Sequence, residues 1–466
     1  MAKIYAGARL RGLREERGMS QAELARALTV SPSYLNQMEH DARPLTVPVL
    51  LRLTEEFGID PSFFSERDTS RLIADLREAL GAELTAGRVR AADLGELASR
   101  LPSVAHALVD VARRNQRLSE QVVGPDGREG AAGAPPTPHE EIRDYFYRRQ
   151  NYLHHLDLAA EGLAATLGIR PGDVLRALAE RLTDHHDVRL VTEPVGPLHN
   201  YDSATRTLHL SARLRPGQQA FRMATQLALL EQADEIDRHA SEDFTPGTEA
   251  HSLARIGIAN YFAAALILPY GAFHASAEGF RYDIERLTDH YGLGYETICH
   301  RLSTLQRPRL RGVPFSFVRV DRAGNLSKRQ SATDFHFSRS GGTCPLWNVY
   351  EAFAAPGRIH VQVAEMPDGK RYLWTARAVV RRSGWGDPGK TFAIGLGCEI
   401  RHGHRLVYAD GLDLGSAAAT PIGMGCRVCE RLGCSQRAAP PLGHSLHIDP
   451  NASTFVPYPV ADGTAH

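Results

Sequence analysis

The sequence predicts a protein of several domains: an all-α domain at the N-terminus, a mainly helical α+β domain in the middle, and a sheet-based α+β domain at the C-terminus. Three features of the pattern support this division. Apolar residues recur at helical spacing through residues 5–64 and 140–305, while shorter runs rich in β-branched and aromatic residues follow Pro314. A stretch rich in Gly, Pro and Ala separates the two helical regions. The length of 466 residues also exceeds what one hydrophobic core usually serves.

The composition offers no simple electrostatic argument for a partner. The 54 basic and 54 acidic side chains cancel, so that a polyanionic partner must be argued from local sites. Residues 1–21 are rich in Arg and Glu and lack the apolar segment of a signal peptide, and the longest apolar run, residues 261–269, is too short to span a bilayer. We therefore expect a cytoplasmic protein without a membrane partner.

The first domain, residues 1–66, carries two helix starts whose caps are encoded in the sequence. Ser20 is followed three residues later by Glu23, which predicts a capping box. Ser31 predicts a second N-cap, and Pro32 suits the first position of the helix that follows. We expect the second helix to present a polar face to its surroundings.

Residues 4–64 resemble the lambda-repressor-like, or Xre-type, helix-turn-helix family, including further helices over residues 47–57 and a tail at residues 61–64. The resemblance implies an all-α domain that binds a double-stranded DNA operator, usually as a homodimer or a higher homo-oligomer. It also implies that Gln21 holds a phosphate and that Arg43 lies near the DNA backbone. It places five residues towards the major groove: Ser31, Ser33, Tyr34, Asn36 and Gln37.

The alternative for this domain is a helical bundle that binds another protein. Its near-neutral charge favours that alternative, because neutralisation of phosphates normally supplies affinity for DNA. A local basic cluster on the first helix could offset the acidic side chains: Arg9, Arg11, Arg14 and Arg17.

The remainder of the chain divides into four segments. Helical patterns over residues 67–122 indicate a connector, and residues 123–139 indicate a flexible linker. Residues 140–312 form the predicted middle domain, with strands expected at 187–192 and 207–210. Residues 313–466 form the predicted sheet-based domain, with strands expected at 315–320, 358–363, 372–380 and 391–396.

Two segments of the middle domain, residues 221–229 and 258–269, resemble the helices of the metallopeptidase-like (ImmA/IrrE-like) domain that accompanies Xre-type modules. Active members carry His-Glu-x-x-His on the first helix and a carboxylate on the second. The corresponding positions here are Thr225, Gln226, Leu229 and Ile258. Because the imidazoles, the general base and the third ligand are all missing, we expect no catalytic residue and a scaffold or sensing surface instead.

The cysteines point to a metal or redox site near the C-terminus. Cys426, Cys429 and Cys434 form a Cys-x2-Cys-x4-Cys array, from which three thiolates can converge on one centre. Iron–sulfur clusters and structural zinc normally take four ligands. Cys398, Cys344 or an exogenous ligand must supply the fourth, and Cys398 ranks ahead of Cys344. The spacing alone does not choose between the two metals, and metal-free thiols are a further alternative.

Together these stretches resemble the short-chain fatty-acyl transcriptional regulators, a family that includes regulators of propionate and acetate metabolism. The resemblance runs nearly end to end and includes residues 300–306, 324–329 and 344–348. It implies a C-terminal sensor for acyl-CoA or CoA. In some members it also implies an iron–sulfur cluster, which favours a 4Fe–4S cluster over zinc in this chain.

One stretch of the chain is rich in basic residues that could attract the phosphates of a CoA-type ligand. Between His300 and Ser340 the acidic residues are Asp321 and Asp334. The basic ones are Arg301, Arg307, Arg309, Arg311, Arg319, Arg322, Lys328, Arg329 and Arg339. A second DNA contact and a solvated face are equally open alternatives, so that no residue is assigned to CoA.

These observations predict a sequence-specific DNA-binding regulator of short-chain fatty-acid (propionate or acetate) or related carbon metabolism. It is expected to respond to acyl-CoA or CoA and to carry an iron–sulfur cluster. The alternatives are a zinc-containing regulator and a metallopeptidase-like interaction protein without a cluster. An enzyme is not expected, because no complete catalytic group of residues is present in the sequence.

Overall fold

In the computed structural model the chain forms two compact units. Unit 1 comprises Met1–Pro135, His336–Gly341 and Gly425–His466, and unit 2 comprises Pro136–Phe335 and Gly342–Met424. The structure describes residues 7–16, 19–40, 42–46, 48–50, 52–53, 67–80, 89–101, 104–109, 111–112, 138–194, 196–333, 335, 343–381, 385–386, 389–415, 418–441 and 444–460. The helix-turn-helix segment and the cysteine array thus belong to unit 1, and the peptidase-like helices belong to unit 2.

Unit 1 begins with three short helices, α1 (Gly7–Glu16), α2 (Gln21–Ala27) and α3 (Pro32–Glu39). Both predicted caps are confirmed: the Ser20 side chain accepts from the backbone N–H of Glu23 in a capping box, and the Ser31 side chain caps α3. Residues 48–50 and 52–53 are also helical. The rest of the helices expected over residues 47–57, and the tail at residues 61–64, lie outside the described residues.

The apolar faces of these helices meet in a core of their own. Leu10, Leu24, Leu35 and Leu53 are each at most 1% exposed within it. Because short helices in isolation are marginally stable, this burial supplies most of the stability of the bundle. The predicted all-α N-terminal domain is therefore confirmed.

The connector segment of unit 1 contains α4 (Arg67–Ala79) and α5 (Ala91–Arg100), and residues 104–109 are also helical. They bury a second small core that consists of Leu72, Leu76, Leu94, Ala98, Ala105 and Val109. Residues 113–137, which include most of the predicted linker, lie outside the described residues.

Unit 2 opens with a helical array around one long central helix. The helices are α6 (Pro138–Arg148), α7 (His154–Thr166), α8 (Val174–Glu180), α9 (Pro216–Glu231), α10 (Ala233–Asp243), α11 (Glu249–Ile267), α12 (Tyr270–Gly279), α13 (Ile284–Tyr291) and α14 (Tyr295–Leu302). α11 packs against α6, α7, α9 and α10. Its C-terminal half is buried all round, as expected of the apolar run at residues 261–269.

A small sheet is inserted between α8 and α9. It contains β1 (Arg189–Glu193), β2 (His199–Asp202) and β3 (Thr207–Ser211) in the order β1-β3-β2, with β1 parallel and β2 antiparallel to β3. The strands expected at residues 187–192 and 207–210 are confirmed with small shifts. β2 was not expected from the sequence, because its residues His-Asn-Tyr-Asp are polar, as suits a strand at the edge of the sheet.

The C-terminal part of unit 2 is built on a six-stranded sheet, which confirms the predicted sheet-based domain. Its strands are β4 (Ser316–Val320), β5 (Leu326–Ser331), β6 (His360–Glu365), β7 (Arg371–Arg381), β8 (Lys390–Glu399) and β9 (Thr420–Pro421), in the order β5-β4-β8-β7-β6-β9. Gly397 of β8 faces Trp374 of β7 so closely that a Cβ atom would clash with the indole ring. β5 and β9 were not expected from the sequence.

The helical array and the large sheet share one hydrophobic core, which extends from Tyr145 of α6 to Leu406 beyond β8. Within this core lies a buried ion pair: Arg301 of α14 donates from Nη1 to Oδ2 of Asp157 of α7 at 2.8 Å, and neither side chain is exposed. Tyr261 of α11 donates to the same carboxylate oxygen at 2.7 Å. Three helices distant in sequence are thereby joined at one buried carboxylate.

No single helix in the described part of the chain is both long and apolar enough to cross a bilayer, and the one helix pair that satisfies these criteria together, α11 with α12, is bent by 63°.

Candidate DNA-binding surface and cysteine centre

Helix α3 buries one face in the N-terminal core and leaves the other exposed. Leu35 and Met38 are 0% and 1% exposed. Of the residues expected to face the major groove, Ser31, Ser33 and Asn36 are exposed, and Tyr34 and Gln37 are half-buried. A short helix with a polar exposed face is the form in which helix-turn-helix proteins present side chains to base edges.

The start of α3 is fixed by local contacts. The Ser31 hydroxyl accepts from the backbone N–H of Tyr34 at 3.1 Å, so that this side chain caps the helix. The guanidinium of Arg43, which is exposed, lies 5.4 Å from the centroid of the Tyr34 ring. Tyr34 and Arg43 therefore lie side by side at one flank of the helix, and their DNA contacts stay predictions.

A buried carboxylate at the end of α3 joins the three helices, and it was not expected from the sequence. The Glu39 side chain has no exposed surface and accepts from Nε of Arg14 at 2.7 Å and from Nε2 of Gln21 at 2.8 Å. Gln21 also donates to Oδ1 of Asn36 at 3.2 Å. Arg14, which was assigned from the sequence to a basic cluster, is thus paired within the bundle. Gln21, the first residue of α2, joins α2 to α3 through its contacts with Asn36 and Glu39.

The positions that carry zinc ligands in active metallopeptidases hold packing residues in this chain. The hydroxyl oxygen of Thr225 of α9 lies 2.9 Å from the carbonyl oxygen of Phe221 and 3.1 Å from Oδ1 of Asn260, within hydrogen-bond distance of both. Gln226 is 4% exposed and Ile258 is fully buried. None of these side chains supplies an imidazole or carboxylate, so the structure gives no basis for a zinc-activated water at these positions.

A different group of possible ligands lies at the end of α9. The ligand atoms of His185, His186 and Glu231 all lie within 4.8 Å of one another, next to a π-helical turn (Arg181–His185). However, Nε of Arg181 and Nε2 of His186 both contact Oε1 of Glu231 at 2.7 Å. Burial alone would raise the pKa of Glu231. The hydrogen bonds from Arg181 and His186 outweigh burial and hold this pKa below its ordinary value. Because the guanidinium already neutralises the carboxylate and repels cations, we interpret this group as a salt bridge that joins α8 to α9.

The cysteine array forms a loop without helix or strand. Cys426, Cys429 and Cys434 are all partly exposed free thiols. The backbone N–H of Ala438 donates to Sγ of Cys426 at 3.4 Å, and Glu430 forms an ion pair with Arg77 of α4. Burial raises the pKa of the Cys429 thiol, and the charges of Arg431 and Arg437 oppose this shift.

The donor set of the three array cysteines bears on the kind of metal group that fits. Thiolates are the soft ligands that both structural zinc and iron–sulfur clusters take. All three cysteines lie on one loop in the described part of the chain and are partly exposed. The residues therefore fit either group, and the choice between a cluster and a zinc ion stays a prediction.

The other three cysteines lie in unit 2. Cys398 of β8 is fully buried opposite Leu373 of β7, and burial raises its thiol pKa far above the ordinary value. Cys344 is 8% exposed. Cys299 of α14 is fully buried in the shared core, as expected of a small hydrophobic residue. The choice between Cys398 and Cys344 as a fourth ligand stays a prediction.

Several cations of the basic stretch between His300 and Ser340 are already paired. Arg301 and Arg307 contact Asp157, and Arg319 donates from Nη1 to Oε1 of Glu296 at 2.8 Å. These three guanidinium groups hold elements of unit 2 together, which reduces the charge left for a ligand. Arg339 lies outside the described residues.

Three family models match successive parts of the chain. Residues 10–64 match a family model described as helix-turn-helix, and residues 183–303 match one described as an IrrE N-terminal-like domain. Residues 304–458 match the model of the short-chain fatty acyl coenzyme A regulator, C-terminal. The resemblances drawn from the sequence are thereby confirmed.

Similar proteins are named as regulators, which confirms the expectation of a regulator rather than an enzyme. The HTH-type transcriptional regulators RamB and PrpR of Mycobacterium tuberculosis are 57% and 48% identical, each over 98% of this chain and 99% and 96% of their own lengths. The propionyl-CoA carboxylase regulator of Cereibacter sphaeroides is 43% identical over 99% of both chains. A solved Mycobacterium tuberculosis transcriptional regulator is 50% identical over 70% of this chain and all of its own, with a TM-score of 0.67. The chain belongs to the family of HTH-type transcriptional regulators that carry a C-terminal short-chain fatty acyl coenzyme A regulator domain.

Proposed function

We propose that this regulator binds operator DNA through α3 and controls genes of propionate, acetate or related carbon metabolism. We further propose that it responds to an acyl-CoA or CoA and carries an iron–sulfur cluster. The observation that carries the DNA-binding part is the capped helix α3, whose apolar face is buried while Ser33 and Asn36 are exposed. The names of the relatives support the metabolic role, because one is a regulator of propionyl-CoA carboxylase.

Fluorescence anisotropy with promoter duplexes tests the role of α3. Asn36→Ala is expected to weaken specific binding by about 1–3 kcal/mol, the usual contribution of one side-chain contact to a base. Asn200→Ala makes the same change at an exposed position of β2 and should leave binding intact. Equal affinities of the two variants would exclude Asn36 as a contact.

We propose a homodimer on a pseudo-palindromic site, which sedimentation of the protein–DNA complex would show.

The proposed effector is an acyl-CoA or free CoA. The family model over residues 304–458 supports this ligand class, as does the basic character of residues 300–340, where Arg309 and Arg322 are exposed. Calorimetric titration with propionyl-CoA, acetyl-CoA and CoA should give saturable binding by at least one of them, and that ligand should change the affinity for operator DNA. A ligand that binds without changing the DNA affinity would not be the effector.

The proposed cluster would be held by Cys426, Cys429 and Cys434, with Cys398 or Cys344 as the fourth ligand. Three soft thiolates support this assignment, and when bound the cluster would supply one-electron redox chemistry. Anaerobic purification followed by iron, sulfide and zinc analysis should find iron and sulfide in the wild type and neither in Cys429→Ser. Stoichiometric zinc in a colourless protein would instead support the zinc alternative. Cys398→Ser and Cys344→Ser, compared for iron retention, distinguish the two proposed fourth ligands.

A further inference from the structure

The loop that carries the cysteine array has a charged side chain at its centre. Between Cys426 and Pro440, all of which are described, Arg437 is the one buried side chain, at 4% exposure. Its apolar neighbours in the loop, Val428 and Leu432, are only half-buried. The loop therefore lacks an apolar core, and its fold depends on polar contacts.

Arg437 makes those contacts. Nη2 donates to the carbonyls of Cys429 at 2.8 Å and Arg431 at 2.9 Å, while Nη1 donates to the carbonyl of Cys426 and, at 3.4 Å, to that of Ala439. A planar guanidinium presents its donors in a rigid fork, so that one side chain fixes several carbonyls relative to one another. Lysine keeps the charge but has no such fork.

The backbone next to Arg437 reaches the third cysteine and one of the sulfurs. The N–H of Arg437 donates to the carbonyl of Cys434 at 3.3 Å, and the N–H of Ala438 donates to Sγ of Cys426 at 3.4 Å. Residues 437 and 438 thus contact all three cysteines of the array. An N–H aimed at a cysteine sulfur is also a common contact around iron–sulfur centres, where it influences the reduction potential.

We propose that Arg437 is a positioning residue, whose guanidinium holds the three-cysteine loop in its binding conformation before any metal group arrives. This inference rests on the proposed cluster site. Without the guanidinium, four carbonyls lose their shared donor and the three ligands must be ordered at the expense of binding free energy. The contribution is geometric, so that a positive charge alone does not replace it.

The first test compares Arg437→Gln and Arg437→Lys with Arg427→Gln, which removes a charge from an exposed position of the same loop. After anaerobic reconstitution with iron and sulfide, we expect both Arg437 variants to hold iron about 10- to 100-fold less tightly than the wild type in competition with a chelator, the usual effect on affinity of residues that orient metal ligands. Arg427→Gln should match the wild type. Wild-type retention by Arg437→Gln, or full rescue by Arg437→Lys, would overturn the inference.

The second test needs no variant that could fail to fold. Hydrogen exchange of the metal-free wild-type protein should show protection of the amides of Arg437 and Ala438, because both donate within the loop. Exchange at the unprotected rate would show that the loop is not preformed. If the wild type takes up no iron at all, the proposed cluster fails, while the exchange measurement still decides whether the loop is preformed without a metal.

Discussion

Arg14 of α1 donates from Nε to Oε1 of Glu39 at 2.7 Å, and the side chain of Glu39 at the end of α3 has no exposed surface. This contact, together with the amide of Gln21, fixes the direction of α3 relative to α1 and α2. A helix whose side chains contact base edges must keep a fixed orientation relative to the rest of its domain. The buried carboxylate therefore holds the helix whose exposed residues we propose as DNA contacts.

Glu39→Gln tests this relationship. The amide keeps the shape of the side chain but leaves Arg14 without its countercharge, and we expect the N-terminal bundle to lose about 2–3 kcal/mol of stability, less than a fully buried pair would. Hydrogen exchange of α2 and α3 should therefore become faster. Arg26→Gln, an exposed change on α2, should leave exchange unaltered. Unchanged exchange in Glu39→Gln would show that the carboxylate does not hold α3.

Asp157→Asn tests the buried centre of unit 2. Its carboxylate receives Arg301, Arg307 and Tyr261, and Arg301 is fully buried. Leaving that guanidinium without a countercharge should cost about 3–5 kcal/mol in the free energy of unfolding. Asp173→Asn removes an exposed ion pair with Arg176 and should cause no measurable change in denaturant unfolding. Equal midpoints for the two variants would contradict this account.

Gly397 and Gly162 predict opposite outcomes for the same substitution. A Cβ at position 397 would clash with the Trp374 ring, and we expect Gly397→Ala to destabilise unit 2 by about 1–3 kcal/mol. Position 162 lies within α7, with nothing within 4 Å of the added atom, so Gly162→Ala should stabilise by about 0.4–1 kcal/mol. Thermal unfolding distinguishes them, and a stabilised Gly397→Ala would refute the close approach of β7 and β8.

Lys328 of β5 predicts a pH dependence of stability. Burial lowers the pKa of Lys328 to about 8, with Arg319 reinforcing and Glu296 opposing the shift. Since the unfolded chain holds this proton up to a pKa of about 10.4, the contribution of Lys328 to the free energy of unfolding should rise between pH 8 and pH 10. Lys328→Met should remove that contribution and raise stability below pH 8, whereas the exposed Lys390→Met should do neither. Identical pH profiles of wild type and Lys328→Met would contradict the shift.

The sequence predicted those features that depend on neighbouring residues. Ser20 with Glu23, and Ser31 with Pro32, identified two helix starts because a cap acts over three or four residues. β7 and β8 were found because their β-branched and aromatic residues form long runs. In the same way, Thr225 and Ile258 showed the loss of zinc ligands without any structure.

Features that depend on distant contacts could not be predicted in this way. Glu39 resembles any solvated glutamate until Arg14 and Gln21 are seen to meet it, and Arg437 resembles any loop arginine until four carbonyls surround it. β2 and β5 are polar because they lie at the edges of their sheets, and polar strands lack the alternating pattern of half-buried ones. Arg437 is one of several charged residues among the turns and cysteines, and nothing in the sequence distinguishes it from Arg427 or Arg431.

Genome-wide binding of the wild type and of a Ser33→Ala, Asn36→Ala double variant tests most directly whether α3 reads operator DNA. The account predicts discrete wild-type occupancy at a few promoters, near genes of acyl-CoA metabolism, and its loss in the double variant at equal protein abundance. Occupancy without promoter preference in the wild type, or an unchanged pattern in the variant, would contradict it.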